Sequence, residues 1–154
     1  MANGKVVAIC IGPTAGAQMQ ELQEVEAIAG QGLAGDRYAR GEGSFNKGRQ
    51  GKRQVTLINA LFVSGSEFKY FETRRNLAVE GIELMDQIGQ EFRIDGVLMR
   101  GVKYCDPCMR PTKLSGNPYP FRDRFWDRGG LVAEIVEGGI IKVGSFVIPR
   151  TKDY

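Results

Sequence analysis

The residues with the clearest capacity for chemistry are the two cysteines of the segment Cys105-Asp106-Pro107-Cys108. A C-x-x-C pair can supply half of a zinc site, work as a redox dithiol or contain one activated thiolate. Histidine is absent from the 154 residues, so catalytic schemes and metal sites that need an imidazole are excluded. Cys10 is the only other thiol, which leaves a tetrahedral zinc site short of ligands.

The neighbours of this pair favour one activated cysteine over a dithiol. Pro111 follows closely, so we do not expect the helix that follows a thioredoxin-type pair. Lys103 and Arg110 are near enough along the chain to favour the thiolate, which is the nucleophilic and metal-binding form of cysteine. The spacing by itself is also compatible with a purely structural role, in which the two cysteines are small residues in a turn beside Pro107. That alternative stays open.

Positive charge is concentrated in two stretches of a chain whose formal net charge is only +3. In residues 36–54 and again in residues 100–130, basic side chains outnumber acidic ones by four. Both stretches could face an anion, whereas the alternative is a solvated basic surface. A nucleic-acid partner is not favoured, because this excess of charge is small for that purpose.

The elements that must position these residues are mostly short strands. Apolar, β-branched runs bounded by glycine and proline predict strands at 5–11, 25–29, 54–58, 92–95 and 97–99. Two further runs, 131–136 and 140–148, are joined by Glu137-Gly138-Gly139 and predict a hairpin. We expect short helices at 64–72 and 82–88, one helical turn after Pro120, and a long loop at 30–51.

This pattern predicts a mainly β protein, a small barrel or sandwich, because strands do not alternate with helices. We expect one domain over residues 1–154, with a core at about 6–148 and a tail at 149–154. No apolar run approaches the ~20 residues that span a bilayer, so no membrane partner is expected. An odd number of cysteines and an amino terminus unlike a signal peptide predict a cytoplasmic protein with reduced thiols.

Seven short segments that extend over nearly the whole chain form a further pattern. The segments are Gly32-Leu33-Ala34-Gly35-Asp36-Arg37-Tyr38, Arg53-Gln54-Val55-Thr56-Leu57-Ile58, Arg74-Arg75-Asn76-Leu77, Phe92-Arg93-Ile94, Cys105-x-Pro107-Cys108, Arg128-Gly129-Gly130-Leu131, and Gly138-Gly139-Ile140 with Gly144. In this order, they together resemble the MOSC domain, named for the carboxy-terminal domain of molybdenum cofactor sulfurases.

The resemblance implies a distorted small β-barrel, like the barrel domain of pyruvate kinase, with a few short helices. It also implies a catalytic thiolate at Cys108, which would bind molybdenum as in related amidoxime-reducing proteins, and an accessory thiol at Cys105. A soft thiolate suits a thiophilic metal or a terminal sulfur atom. Molybdopterin carries a phosphate, and the family pattern assigns its binding to Arg37, Arg75 and Asn76, with Arg74, Arg53 and Arg128 as further candidates.

Three departures from the family pattern bear on this assignment. Gly144-Ser145 stands where many members have Gly-Asp, and Tyr38 stands where histidine is frequent. Residues 59–71 match the family pattern poorly.

The function implied by the resemblance is binding of the molybdenum cofactor through Cys108. Such a protein would reduce N-hydroxylated substrates or carry sulfur to the cofactor as a persulfide, with an electron-donor or sulfur-donor protein as partner. Pyridoxal phosphate is not expected here, because the chain is too short for the desulfurase domain of cofactor sulfurases. An alternative from a different functional class is a binding module, a non-catalytic barrel that binds phosphate or nucleic acid.

Overall fold

The fold is described from a computed structural model, which defines residues 4–42 and 52–149. Eleven strands lie within these residues. They are β1 (Gly4–Ile11), β2 (Gln20–Leu22), β3 (Glu24–Ile28), β4 (Gly32–Leu33), β5 (Val55–Asn59), β6 (Leu77–Glu80), β7 (Glu91–Ile94), β8 (Val97–Tyr104), β9 (Leu131–Glu137), β10 (Gly139–Lys142) and β11 (Phe146–Pro149).

Six short helices connect the strands of the described residues. Three are α-helices, α1 (Ala60–Ser64), α2 (Arg110–Ser115) and α3 (Phe121–Arg124), and three are 3₁₀ helices at Arg37–Arg40, Tyr70–Thr73 and Leu84–Gln87. None of the helices in the described part of the chain is long and apolar enough to span a membrane.

Seven of these strands form a closed, distorted β-barrel, which confirms the predicted fold class. Their order is β11-β7-β8-β9-β5-β6-β1, and pairing of β11 with β1 closes the barrel. The β5–β6 pair is parallel and the other barrel pairs are antiparallel. Strand β2 extends the sheet at β1, and β10, β3 and β4 form a separate three-stranded sheet.

The barrel closes around apolar side chains that alternate along each strand, since successive residues of a strand point to opposite faces. Ile9, Leu57, Phe92 and Met99 are among the residues that are completely or almost completely buried there. Outside this core a second apolar cluster joins Phe68, Phe121 and Phe125 to the barrel wall. The rings of Phe121 and Phe125 stack with their centroids 4.5 Å apart. This cluster fixes the proline-rich segment 106–127 against the barrel.

The predicted hairpin of the last two strand runs is wrong. The run 140–148 is divided into β10 and β11, and β10 pairs with β3 whereas β11 pairs with β1 and β7. Gly138 is the reason that the chain can pass so close to β3, because a Cβ there would lie 2.5 Å from the Ala27 carbonyl oxygen. The residues predicted to pair with β9 in a hairpin therefore pair elsewhere. Strand β11 closes the barrel, and β10 completes the small sheet.

Other boundaries also differ from the sequence prediction. The helix expected at 64–72 is replaced by α1 and the 3₁₀ helix Tyr70–Thr73. The loop expected at 30–51 contains β4 and the 3₁₀ helix Arg37–Arg40, and its residues 43–51 lie outside the described residues. Pro149, assigned to the tail, ends β11, and residues 150–154 are likewise outside the described part.

Candidate functional site

One small pocket brings Cys108 together with a group of arginines that are far apart in the sequence. The side chains around it enclose about 40 Å³, which is room for a few waters or one oxyanion group. Four segments meet here: the 3₁₀ helix Arg37–Arg40, the approach to β5, the approach to β6, and the chain between β8 and α2. The pocket is lined by Arg37, Tyr38, Arg53, Arg74, Arg75, Asp106, Cys108, Arg110 and Pro111.

The cysteine segment is held in place by contact with Gly129 and Gly130. A Cβ on Gly129 would lie 2.0 Å from the Cys105 carbonyl oxygen, so only glycine fits this approach. The Cys105 amide donates to the Gly130 carbonyl over 2.9 Å. Arg75 ties the same two segments, because its Nε donates to the Gly129 carbonyl at 2.7 Å and its Nη2 to the Asp106 carbonyl at 3.4 Å. Arg75 therefore shapes the pocket as well as lining it.

The two cysteines of this segment occupy different environments. Cys105 is completely buried, and its Sγ accepts a hydrogen bond from Arg53 Nη2 at 3.5 Å. Cys108 is half-buried and lines the pocket. Cys10, in contrast, is buried in β1, where burial and then Glu21 raise the pKa of its thiol to about 12. Of the three thiols, that of Cys108 lies on the wall that a ligand can reach.

Helix α2 begins two residues after Cys108, which corrects the expectation that Pro111 excludes a helix here. Pro111 lies in the first turn of α2, where the amide that proline lacks would have no partner in the helix. The helix is short and ends at Gly116, which adopts a left-handed conformation with φ of 75°. Its start places Arg110 and Pro111 in the pocket wall.

One side of the pocket is built by a hydrogen-bonded group of three consecutive residues, Asp36, Arg37 and Tyr38. The Asp36 carboxylate accepts from the Gly12 amide at 2.8 Å, from the Tyr38 amide at 3.2 Å and from Arg37 Nη1 at 3.0 Å. The Tyr38 hydroxyl accepts from Arg37 Nη2 at 3.2 Å and from Arg53 Nε at 3.3 Å. Arg37 is thus compensated by a buried carboxylate, and Tyr38 links two guanidinium groups.

Arg53 reaches two polar partners at once. Burial alone would lower the pKa of its guanidinium, but the Tyr38 hydroxyl and the Cys105 thiol together raise it. The Arg53 guanidinium also lies over the Tyr38 ring, with 5.6 Å from Cζ to the ring centroid. The Tyr38 side chain is therefore a part of the site that the sequence flagged only as a departure from the family pattern.

Arg74 is a nearly buried cation of the pocket with few partners among the described residues. Its side chain is only 8% exposed, and its sole hydrogen bond to the described residues runs from Nη1 to the Ala17 carbonyl at 2.6 Å. Burial, and then repulsion by Arg37 and Arg110, lower the pKa of its guanidinium to about 10. Its backbone is left-handed, with φ of 60°, which is unusual for a residue other than glycine. A charged group held in this state is expected where a ligand supplies the missing counterion.

The pocket as a whole has an excess of positive charge. Five guanidinium groups line it, and Asp106 and the buried Asp36 are its carboxylates, so three positive charges remain. Within residues 4–42 and 52–149, Arg74, Arg75 and Arg110 have no ion pair with a carboxylate. Oriented guanidinium donors around a small space are typical of a site that binds a phosphate or another oxyanion.

Two of the predicted ligand residues lie elsewhere. Asn76 is completely buried between strands, where its Oδ1 accepts from the Thr56 amide at 2.9 Å and its Nδ2 donates to the Cys10 carbonyl at 3.1 Å. Arg128 lies over the Phe62 ring, at 4.5 Å from the centroid, and outside this pocket. The contacts of Asn76 give it a structural role in joining β1, β5 and β6.

Metal binding by protein side chains alone is not indicated in the described part of the chain. No three cysteine, aspartate or glutamate side chains converge there on a point where an ion could sit.

Comparison with known protein families identifies the family to which the chain belongs. The MOSC domain family matches residues 52–147, so the chain belongs to that family, which is associated with the molybdenum cofactor. A search of curated protein sequences finds no significant match.

Solved structures show the same fold at low sequence identity. The YuaD protein from Bacillus subtilis superposes with a TM-score of 0.76 at 17% identity, over 95% of this chain and 94% of that one. YiiM from Geobacillus stearothermophilus superposes with a TM-score of 0.68 at 10% identity, over 97% of this chain and 76% of that one. YiiM from Escherichia coli superposes with a TM-score of 0.65 at 12% identity, over 96% of this chain and 70% of that one.

Proposed function

We propose that this protein binds the molybdenum cofactor in the arginine-lined pocket, with Cys108 as its sulfur ligand to molybdenum. The observation that carries the proposal is the juxtaposition of the Cys108 thiol with Arg74, a nearly buried guanidinium without a carboxylate partner in the described residues. One ligand that has both an anionic group and a thiophilic metal satisfies both side chains.

The residues present fit the two ends of such a ligand. A phosphate accepts from several donors at once, and Arg74, Arg75 and Arg110 offer guanidinium groups that form no ion pair with a carboxylate of residues 4–42 and 52–149. Cysteine sulfur is a soft donor and thus a suitable ligand for molybdenum. Once bound, the cofactor would supply a metal centre able to exchange electrons with an N–O bond or to accept a sulfur atom.

The chain's own residues would bind and orient this ligand. Arg53 donates hydrogen bonds to the Cys105 sulfur and the Tyr38 hydroxyl, which fixes this part of the pocket wall before any ligand arrives. Arg75 fixes the cysteine segment through two backbone carbonyls. Because these donors are already oriented, binding costs little reorganisation. Cys105 acts in this scheme as a positioning residue rather than as a ligand.

The experiment compares Cys108→Ser with Cys105→Ala, both purified from cells that make the cofactor. We expect the wild type and Cys105→Ala to retain molybdenum, and Cys108→Ser to retain less than about a tenth of it while melting at the same temperature. Elemental analysis measures the metal, and fluorescence of the oxidised pterin measures the organic part. Equal molybdenum in the wild type and Cys108→Ser would contradict the proposal.

The same preparations separate the two chemistries that the family suggests. Reduction of an N-hydroxylated probe such as benzamidoxime, present in the wild type and absent in Cys108→Ser, supports a reductase. A Cys108 peptide heavier by one sulfur atom, without that activity, supports sulfur transfer. A folded wild-type protein that binds neither molybdenum nor pterin would leave only the anion-binding module.

A further inference from the structure

Within the residues that the structure describes, the Tyr38 hydroxyl is bonded only as an acceptor. The Tyr38 side chain is 3% exposed and lines the arginine-lined pocket. Its oxygen accepts from Arg37 Nη2 at 3.2 Å and from Arg53 Nε at 3.3 Å. A phenol also carries one hydrogen that it can donate, and residues 4–42 and 52–149 provide no acceptor for it. A nearly buried donor of this kind is expected where a ligand completes the hydrogen bond.

The two guanidinium groups set the direction of this donor. Because Arg37 and Arg53 each place an N–H on the phenol oxygen, the hydrogen of that oxygen must point away from both. The ring is held as well, since the guanidinium carbons of Arg37 and Arg53 lie 4.3 Å and 5.6 Å from its centroid. Arg37 is itself fixed by an ion pair with Asp36 at 3.0 Å. The Tyr38 hydroxyl is therefore oriented before a ligand arrives.

The surroundings of the hydroxyl indicate which partner it suits. Arg74, Arg75 and Arg110 line the same pocket and give it positive charge. Asp106 also lines the pocket, but it is exposed, and its carboxylate can stay hydrated. An anion drawn in by the guanidinium groups brings oxygen atoms that accept hydrogen bonds, and one of them can bind the Tyr38 hydrogen. The complementary ligand group is thus an oxyanion.

We propose that Tyr38 is a ligand-binding residue of this pocket, whose hydroxyl donates a hydrogen bond to an oxygen of the bound oxyanion. The ligand class is an oxyanion with at least two acceptor oxygens, one for the guanidinium groups and one for the phenol. The proposal rests on the proposed anion pocket and adds to it a neutral donor of fixed direction. Because histidine is frequent at this position in the family, the assignment follows from the contacts of this chain and not from the family pattern.

The first test uses cofactor-free protein with inorganic phosphate as the probe. Tyr38→Phe removes the hydroxyl and keeps the ring that both guanidinium groups contact. We expect calorimetry to show about tenfold weaker phosphate binding, because one hydrogen bond to a charged ligand is lost. Tyr70→Phe is the matched control, since Tyr70 is half-buried and lies outside the pocket, and it should bind phosphate like the wild type. Thermal melting checks that both variants are folded.

A second measurement separates donation to the ligand from an indirect effect through the arginines. Tyr38→3-fluorotyrosine makes the phenol a stronger donor and a weaker acceptor, with little change in shape. If the hydroxyl donates to the ligand, this protein should bind phosphate at least about twofold more tightly than the wild type. If the hydroxyl only holds Arg37 and Arg53, binding should weaken or stay the same, and that result would overturn the proposal. A buffer at about pH 6 keeps the fluorinated phenol protonated.

The outcomes distinguish this proposal from the anion pocket itself. If phosphate does not bind the folded wild type, the anion pocket fails, and the Tyr38 donor fails with it. If phosphate binds the wild type and Tyr38→Phe equally well, the donor alone is overturned. If Tyr38→Phe does not fold, the sign of the change in Tyr38→3-fluorotyrosine decides.

Protein purified from cofactor-producing cells identifies the source of the oxyanion. If the bound cofactor excludes phosphate and Tyr38→Phe releases pterin faster than the wild type, the oxyanion is the cofactor's own. If the loaded protein still binds phosphate, and binds it more weakly in Tyr38→Phe, the oxyanion is a separate ligand. Exclusion of phosphate by the cofactor, together with pterin release at the wild-type rate in Tyr38→Phe, would contradict the proposal.

Discussion

The arginines on the outer face of the barrel and those of the pocket are the same residue type in opposite electrostatic situations. Arg100 on β8 is exposed and binds Glu91 at 2.9 Å and Glu134 at 3.1 Å. Arg74 is nearly buried and has no carboxylate partner in the described residues. The hydrogen bonds that Arg100 donates to Glu134 and Glu91 raise the pKa of its guanidinium, whereas burial lowers the pKa of the Arg74 guanidinium.

The difference shows which arginines already have a carboxylate partner and which could still bind an anion. The outer face neutralises its cations within the sheet, as Arg93 with Glu137 also shows. The pocket keeps a buried cation whose pKa, about 10, is below its value in the unfolded chain. The unfolded chain therefore holds that proton more tightly, so the charge disfavours the fold at neutral pH, and this cost begins to fall only as the pH rises above about 10. An oxyanion that bound only the folded state would offset the cost.

The largest effect is expected from Gly129→Ala, which tests whether the pocket is built as tightly as its contacts indicate. The new Cβ would lie 2.0 Å from the Cys105 carbonyl oxygen, so the cysteine segment must move, at a cost of about 3 kcal/mol. Gly96→Ala, in the turn between β7 and β8, has no atom within 4 Å of its Cβ and serves as the control. Urea unfolding measures both, and equal midpoints would refute the close packing.

A smaller effect is expected from Arg74→Met, which removes the uncompensated charge. Loss of hydrogen bonds to a charged group, worth about 1.5–3 kcal/mol, should weaken inorganic phosphate binding by about 10-fold to 100-fold. In phosphate-free buffer the variant should melt no lower than the wild type, since the buried cation is gone. Arg100→Met is the matched control and should bind phosphate normally. Equal weakening in the two variants would show that only net charge matters.

Alkylation rates compare the pocket with the barrel interior directly. Cys108 is half-buried on the pocket wall, whereas Cys10 is 1% exposed and the pKa of its thiol is raised to about 12. At pH 8 iodoacetamide should label Cys108 at least about tenfold faster than Cys10, since the thiolate is the reactive form. Brief labelling followed by mass spectrometry gives the ratio, and the urea-unfolded protein is the control. Faster labelling of Cys10 would contradict the assignment of the reachable thiol.

The smallest effect is expected from Arg100→Gln on the outer face. Its two ion pairs are solvent-exposed, and such pairs add little to stability and are screened by salt. The urea midpoint should change far less than in Gly129→Ala, and the remaining difference should shrink in 1 M sodium chloride. A large, salt-independent loss would mean that the outer face is as sensitive as the pocket.

Much of the site was predictable because its parts are short local motifs. Cys105-x-Pro107-Cys108, Gly129-Gly130 and Arg74-Arg75 are recognisable by type and spacing, as was the burial of Cys10 in an apolar strand run. The role of Tyr38 was not predictable, since it depends on two guanidinium groups that the fold brings to one hydroxyl. The positions of Asn76 and Arg128 outside the pocket were equally hidden, because a side chain's direction depends on the strand and segment packed against it.

The sequence by itself determined the class of fold, most strand positions and the chemistry available, because period-two apolar runs, glycine turns and residue types are local properties. Only the tertiary structure decided that the run 140–148 does not pair with β9 but divides into β10, which pairs with β3, and β11, which pairs with β1 and β7. The tertiary structure also decided which arginines form ion pairs with carboxylates, as Arg100 does, and which line the pocket together with Cys108. These outcomes depend on barrel closure and on contacts between residues distant in the chain, whose energies no local pattern contains.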